Sequence, residues 1–158
     1  LPERVSLWLA TIAAVAVILV TPLVGALSDR LGRKPVLVAL CLASALLPAT
    51  MFSLMAGGSP VLALTGAIVL ACVAGGVSAV GAAATAEQFP GEGRVSGLAL
   101  GATGATAIFG GLTPYVAQRL LDHTGAPAAP GIMIAVVAFI VLPILLGLRE
   151  TAARSMQE

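Results

Sequence analysis

Charged residues are scarce in this chain of 158 residues: eight lysines and arginines and seven aspartates and glutamates make up only 9% of it. A soluble domain carries roughly 25% charged residues, because its surface has to be hydrated. Aromatic residues reach only 4%, whereas hydrophobic residues make up 59% and the mean hydropathy is +1.07. This composition excludes an ordinary soluble domain and a disordered chain, and it indicates that lipid is the solvent around the protein.

Net charge and cysteine are also low. A net charge of +1 provides no basic field that could hold nucleic acid, so we expect no nucleic-acid partner. The two cysteines, Cys41 and Cys72, lie in apolar surroundings and lack the spacing of a zinc site or a redox pair. No metal-ligand cluster, paired carboxylates or nucleophile–base pair can be assembled from the sequence. We therefore expect no metal, no cofactor and no enzymatic activity.

All 15 charged residues lie outside five uncharged runs, each 22 to 27 residues long. About 20 helical residues cross a hydrocarbon layer of roughly 30 Å, and in lipid the backbone of such a run must satisfy its own hydrogen bonds as a helix. The sequence therefore predicts an all-α integral membrane protein with five transmembrane helices. The predicted spans cover residues 5–27, 35–56, 60–86, 95–118 and 126–148.

The basic residues divide unequally between the two sides of the membrane. Two of them, Arg4 and Arg119, fall on one side and six on the other, which favours a cytoplasmic location for the six. The tail 149–158 is then cytoplasmic, and the amino end and the 57–59 turn face outward. The six are Arg30, Arg33, Lys34, Arg94, Arg149 and Arg154.

The fourth span separates small residues from threonines. At about 100° per residue, one face carries glycines suited to helix packing, and the opposite face carries Thr103, Thr106 and Thr113. These threonines are candidates for the lining of a substrate pathway. Alternatively, their hydroxyls bond the carbonyls of the preceding turn. The glycine face consists of Gly97, Gly101, Gly104 and Gly111, with Ile108 and Tyr115.

The third span has small residues at intervals of four and a Gly75-Gly76 pair, for which plain helix packing is the favoured explanation. Four prolines, Pro22, Pro48, Pro114 and Pro143, lie in or near the ends of spans, where they can kink a helix.

Residues 25–35 read Gly-Ala-Leu-Ser-Asp-Arg-Leu-Gly-Arg-Lys-Pro and join the first two spans. About seven residues must turn the chain back, and Gly32 permits the backbone angles that such a turn needs. Asp29 precedes Arg33 by four residues, within reach of an ion pair if the region is helical. A loop that merely fixes topology would explain Arg30, Arg33 and Lys34, but it would not explain the glycines and the aspartate in this order.

This segment resembles the signature loop of the major facilitator superfamily, G-x-L-[AS]-D-R-x-G-R-[KR], at every fixed position. The resemblance implies that Gly25, Asp29, Arg30, Gly32, Arg33 and Lys34 stabilise one state of an alternating-access cycle. Asp29 would be the charge-relay acid, with Arg30 and Arg33 as its basic partners.

The family carries this loop twice among its twelve spans. The third span here lacks the arginine that follows the first copy, so the chain is interpreted as spans eight to twelve. It would then be part of the carboxy-terminal half of a twelve-helix bundle, without the seventh span, and its partner would be the missing amino-terminal half.

A narrower resemblance begins at Glu87. Glu87-Gln88-Phe89-Pro90 followed by Arg94-Val95-Ser96-Gly97 is similar to the E-x-F-P-T-R-V-R-x-[ST]-G loop of the metabolite:proton symporters. Residues 107–114, 125–130 and 148–152 continue the likeness to bacterial permeases for proline and betaine, α-ketoglutarate, citrate and shikimate. Here Gly91-Glu92-Gly93 replaces Thr-Arg-Val, whereas Glu87 and Arg94 could still form a pair.

These resemblances imply secondary transport of a small polar or anionic metabolite, with proton symport, across the bacterial cytoplasmic membrane. The alternatives are a facilitator or drug exporter of the same superfamily, or a membrane scaffold that transports nothing. The five runs contain no Asp, Glu, Lys, Arg or His, so the proton carrier is expected in the missing spans.

Overall fold

The computed structural model describes residues 3–88 and 94–148, and all the long elements in those two ranges are helices. Five helical segments are long and apolar enough to span a membrane, as predicted. The fourth span consists of two α-helices joined by a π-helical turn at Thr106–Gly110. The helices are α1 (Glu3–Leu31), α2 (Arg33–Met55), α3 (Pro60–Gln88), α4 (Arg94–Ala105), α5 (Gly111–Thr124) and α6 (Ala129–Gly147).

Helix α3 packs against both α1 and α2, and the Gly75-Gly76 pair is where it approaches them. A Cβ atom on Gly75 would lie 2.7 Å from the Cγ1 atom of Val17 in α1. A Cβ atom on Gly76 would lie 3.1 Å from the Cδ2 atom of Leu40 in α2. The pair therefore serves close helix packing, as expected, because a Cβ atom at either position would require side chains of α1 or α2 to shift.

Helix α6 packs along α2, and Gly131 in its first turn makes the tightest approach. A Cβ atom at Gly131 would lie 2.6 Å from backbone atoms of Pro48 and Ala49. Further along the two helices, Cys41 and Ala45 of α2 pack with Ala138 of α6 in a small buried cluster. Small side chains thus allow the two helix backbones to come close together.

Large apolar side chains cover the outside of the helices. In α1, Trp8, Leu19 and Leu23 are each more than 60% exposed. In water such a surface would drive aggregation, but a lipid environment solvates it without cost. The interior is correspondingly small, with Val80 and Ser28 as the largest side chains that are fully buried.

The fourth span differs from the single regular helix that was predicted. Pro114 has no N–H for the carbonyl four residues earlier, and its ring crowds that carbonyl at Gly110. The π turn lies directly before this point and ends at Gly110, which is consistent with the proline as its cause. Since a π turn inserts an extra residue, the regular helical phase that was used to assign the two faces is wrong across Thr106–Gly110.

The expected packing of the glycine face is also not observed. Nothing lies within 4 Å of the Cβ positions of Gly101, Gly104 and Gly111 in the part of the chain that the structure describes. The face therefore meets no neighbouring helix of these two ranges.

Candidate functional site

The first two helices meet at a single residue. Helix α1 continues through the polar residues of the signature segment to Leu31, so the connection is Gly32 alone and not the seven residues that were expected. Gly32 has φ 106° and ψ 154°, a conformation that favours glycine, and its N–H donates to the Ser28 carbonyl at 3.0 Å. Pro35 lies in the first turn of α2, where its missing N–H costs no helical hydrogen bond.

Arg33, the first residue of α2, binds side chains from both neighbouring helices. Its Nε and Nη2 atoms each donate to Oε1 of Glu87, at the end of α3, at 3.1 Å. Its Nη1 atom lies 2.5 Å from Oδ1 of Asp29 in α1 and donates to Oγ of Ser28 at 3.2 Å. We call Ser28, Asp29, Arg33 and Glu87 the Arg33 cluster.

The members of the Arg33 cluster differ in burial. Ser28 is fully buried, and the side chains of Arg33 and Glu87 are 15% and 21% exposed, whereas that of Asp29 is 63% exposed. Water screens exposed ion pairs more than shielded ones, so we expect the Arg33–Glu87 pair to be the stronger of the two although the Asp29 contact is shorter. The cluster thus joins three helix ends through one guanidinium group.

The remaining residues of the signature segment lie around this cluster. Arg30 is exposed and is not among the contacts described for the cluster, and the role that the resemblance implies for it stays a prediction. Lys34 is half-buried in the first turn of α2. Gly25 is half-buried within α1, and the residues described leave its Cβ position open.

The partner of Glu87 is one that the sequence did not suggest. Glu87 pairs with Arg33, 54 residues away, and its possible pair with Arg94 stays a prediction. The side chain of Arg94, the residues 89–93 with Glu92, and the tail 149–158 lie outside the described residues. A usable signal was present in the sequence: Glu87 ends an uncharged run on the same side of the membrane as Arg33.

The three candidate pathway threonines do not share one site. Thr103 and Thr106 line a shallow hollow of about 400 Å³ on the surface of the fourth span, whereas Thr113 lines a different cavity. The hydroxyl of Thr113 donates to the Phe109 carbonyl at 2.5 Å, which is the alternative considered for these threonines.

The cavity that contains Thr113 lies between α2, α3, α5 and α6 and has a volume of about 430 Å³. Hydrocarbon side chains form most of its wall, and Cys41, Ser44, Thr85 and Thr113 supply the polar groups. The sequence does not reveal this cavity, because its wall combines residues from four helices.

In the two described ranges, no group of three or more His, Cys, Asp or Glu residues could hold a metal ion. The acidic side chains whose contacts are described instead bind arginine or glutamine.

Comparison with known proteins identifies the family of this chain. The model of the Major Facilitator Superfamily matches residues 3–157, which is nearly the whole chain. The chain belongs to the major facilitator superfamily. No solved structure matches it. Its five apolar helices and its bacterial relatives make it a multi-pass protein of the bacterial cytoplasmic membrane.

The curated relatives of this superfamily member are transporters rather than enzymes. It is 35% identical to the citrate-proton symporter of Klebsiella pneumoniae over 111 residues, which cover 70% of the chain and 25% of the symporter. It is 32% identical to an ectoine/proline transporter of Corynebacterium glutamicum over 162 aligned residues, covering 99% of the chain and 32% of the transporter. The alpha-ketoglutarate permease of Escherichia coli is 32% identical over 111 residues, covering 70% of the chain and 26% of the permease. The chain therefore spans about a quarter to a third of the length of these relatives.

Proposed function

We propose that this chain forms spans eight to twelve of a twelve-span secondary transporter, which carries a small polar or anionic metabolite together with protons. The superfamily membership and the names of the relatives support transport, and the names citrate, proline, ectoine and alpha-ketoglutarate support this class of substrate. The fraction of each relative that the chain covers supports a part of a longer transporter, and the lack of an arginine in the third span supports the carboxy-terminal half. Its partners would be the seventh span, the amino-terminal half, the substrate and protons.

The Arg33 cluster is the observation that carries this proposal. In alternating access, two six-span halves rock about a central site, so each half has to move as a rigid body. Arg33 holds the end of α1 through Asp29 and the end of α3 through Glu87, and it thereby ties three helix ends together. The exposed Asp29 carboxylate is the member of the cluster that can exchange its contact with Arg33 for one with the other half.

Thr103 and Thr106 are the residues that we propose for the substrate pathway. Thr103 and Thr106 lie on an exposed surface of the fourth span, which suits a helix that faces the centre of a larger bundle. Thr113 is less suited, because it donates its proton to Phe109. The acidic residues whose contacts are described lie near helix ends: Asp29, Glu87 and Asp122. We therefore propose that the proton carrier lies in the other spans of the transporter.

Uptake by the full-length transporter tests the role of the Arg33 cluster. Cells that express Asp29→Asn should insert the protein normally but take up labelled proline, citrate or alpha-ketoglutarate more slowly, because the contact between Asp29 and Arg33 loses its charge. Asp122→Asn is a matched control, since Asp122 is an exposed acid that bonds Gln118 at the far end of the fourth span. Wild-type uptake by Asp29→Asn would contradict the proposed role.

Counterflow in proteoliposomes tests the coupling. A symporter accumulates labelled substrate when an inward proton gradient is imposed, whereas a facilitator only equilibrates it. An exporter would require the opposite gradient, and a scaffold would show no counterflow of any member of the substrate panel.

A further inference from the structure

The cavity between α2, α3, α5 and α6 is large enough for a ligand and has no role in the proposed transport cycle. Its volume of about 430 Å³ lies within the roughly 300–1,000 Å³ of small-molecule sites. No charged side chain lines it in the part of the chain that the structure describes. A charged metabolite would lose its hydration there without gaining a charged partner from these residues, so the lining favours an apolar occupant over the proposed substrates.

The polar groups in the wall of the cavity are largely occupied. The hydroxyl of Thr85 donates to the Gly81 carbonyl at 2.7 Å, and that of Thr113 donates to the Phe109 carbonyl at 2.5 Å. The thiol of Cys41 donates to the Ala138 carbonyl at 3.2 Å. An ordered water needs two to four polar partners, and an apolar cavity that lacks them stays dry. The cavity therefore suits a hydrocarbon occupant better than water.

The cavity is elongated along the membrane normal. Its wall runs from Leu37 to Ser44 on α2, from Val77 to Thr85 on α3, and from Met133 along α6 to Leu148 just beyond it. At 1.5 Å per residue these segments are about 10 Å, about 12 Å and about 22 Å long. One leaflet of the hydrocarbon layer is about 15 Å thick, half of roughly 30 Å. The walls on α2 and α3 thus fit within one leaflet, and the wall on α6 extends beyond it.

One end of the cavity lies close to the membrane surface on the side of the Arg33 cluster. Leu37 and Thr85 line this end, and they lie one turn or less from Lys34 and Glu87. The charge distribution places this side in the cytoplasm, where lysines near the surface attract anionic headgroups. A phosphate at the level of Lys34 would allow its acyl chain to extend along α6 into the cavity.

We infer that this cavity is a binding site for one acyl chain of a phospholipid from the cytoplasmic leaflet. The acyl chain enters from the bilayer and fills the space between α5 and the α2–α6 pair. If this space were empty, the side chains that line it would lose packing contacts. The site is separate from the proposed role of the Arg33 cluster, because no residue of that cluster lines the cavity, although the pathway candidate Thr113 does.

Native mass spectrometry of the purified full-length transporter tests this inference. Gly81 lines the cavity, and nothing lies within 4 Å of its Cβ position, so Gly81→Phe places a ring in the space without a backbone clash. Gly101→Phe is the matched control, because the Cβ position of Gly101 is equally open but does not line the cavity. We expect wild type and Gly101→Phe to retain one phospholipid per polypeptide after delipidation, and Gly81→Phe to retain none.

The masses of the retained molecules distinguish the possible outcomes. Retention of a free fatty acid in place of a phospholipid would overturn the assignment of the occupant, and equal retention by wild type and Gly81→Phe would overturn the site itself. If Gly81→Phe does not insert into the membrane, Val137→Phe fills the cavity from α6 and should also abolish retention. Absence of retained lipid from the wild type would likewise refute the inference, whatever the result of the uptake assays.

Discussion

The two ion pairs of Arg33 should differ severalfold in strength, and double-mutant cycles can measure this difference. Glu87 accepts two hydrogen bonds from Arg33, each 3.1 Å long, and both side chains are largely shielded from water. Asp29 forms a shorter contact, but 63% of its side chain is exposed. The more exposed pair is better screened, so burial and not distance should decide the order.

Hydrogen bonds to charged groups contribute about 1.5–3 kcal/mol, and exposed ion pairs about 0.2–1 kcal/mol. Because both bonds from Arg33 share one oxygen of a Glu87 side chain that is 21% exposed, we expect a coupling energy of about 2 kcal/mol for Arg33–Glu87. This energy corresponds to a factor of about 30 in the unfolding equilibrium. For Arg33–Asp29 we expect about 0.5 kcal/mol, which is roughly a twofold effect.

Unfolding of the purified transporter in mixed detergent micelles supplies the free energies for both cycles. One cycle uses Arg33→Gln, Glu87→Gln and the double variant, and the other replaces Glu87→Gln by Asp29→Asn. Asp122→Asn with Arg33→Gln should show no coupling, because Asp122 bonds Gln118 at a distant helix end. Equal coupling in the two cycles, or stronger coupling for Asp29, would refute the reasoning from burial.

Two glycines lead to further predictions about stability. Gly131→Ala should lower the stability by about 1–3 kcal/mol, because its Cβ atom would overlap the backbone of Pro48 and Ala49. Gly147→Ala, on the same helix and with open space around its Cβ position, should not show this loss in thermal denaturation. Equal melting temperatures for Gly131→Ala and Gly147→Ala would contradict the close packing at Gly131. Gly32→Ala should cost about 1–3 kcal/mol because φ is 106°, whereas Gly25→Ala, within α1, should be neutral or stabilising in the same assay.

The signature segment illustrates what the sequence could predict about the site. The spacing of Asp29 and Arg33 indicated a possible ion pair, and Gly32 was identified as the turning point; the structure contains both features. The predicted length of the connection between α1 and α2 was wrong, because α1 continues to Leu31, beyond the end of the first uncharged run. Polarity marks where a segment leaves the hydrocarbon layer, and polar residues such as Asp29 and Arg30 can continue a helix beyond that level.

The fourth span shows where periodicity fails. Assigning faces at 100° per residue assumes regular hydrogen bonding, and the π turn at Thr106–Gly110 breaks that regularity. The threonines that were grouped on one face consequently line two different spaces. Pro114 was the available signal, but a proline in a membrane helix can also be accommodated by a simple kink.

The sequence by itself determined the solvent, the number of spans and the positions of the charges. These properties depend on local composition, because a run of some twenty uncharged residues can satisfy its backbone in lipid only as a helix. Only the tertiary structure decided that Arg33 pairs with Glu87, that Gly131 packs on Ala49, and that residues of four helices line one apolar cavity. These contacts join residues that are far apart in sequence, and in lipid they depend on the fit of one helix surface to another, which the apolar composition of each helix does not specify.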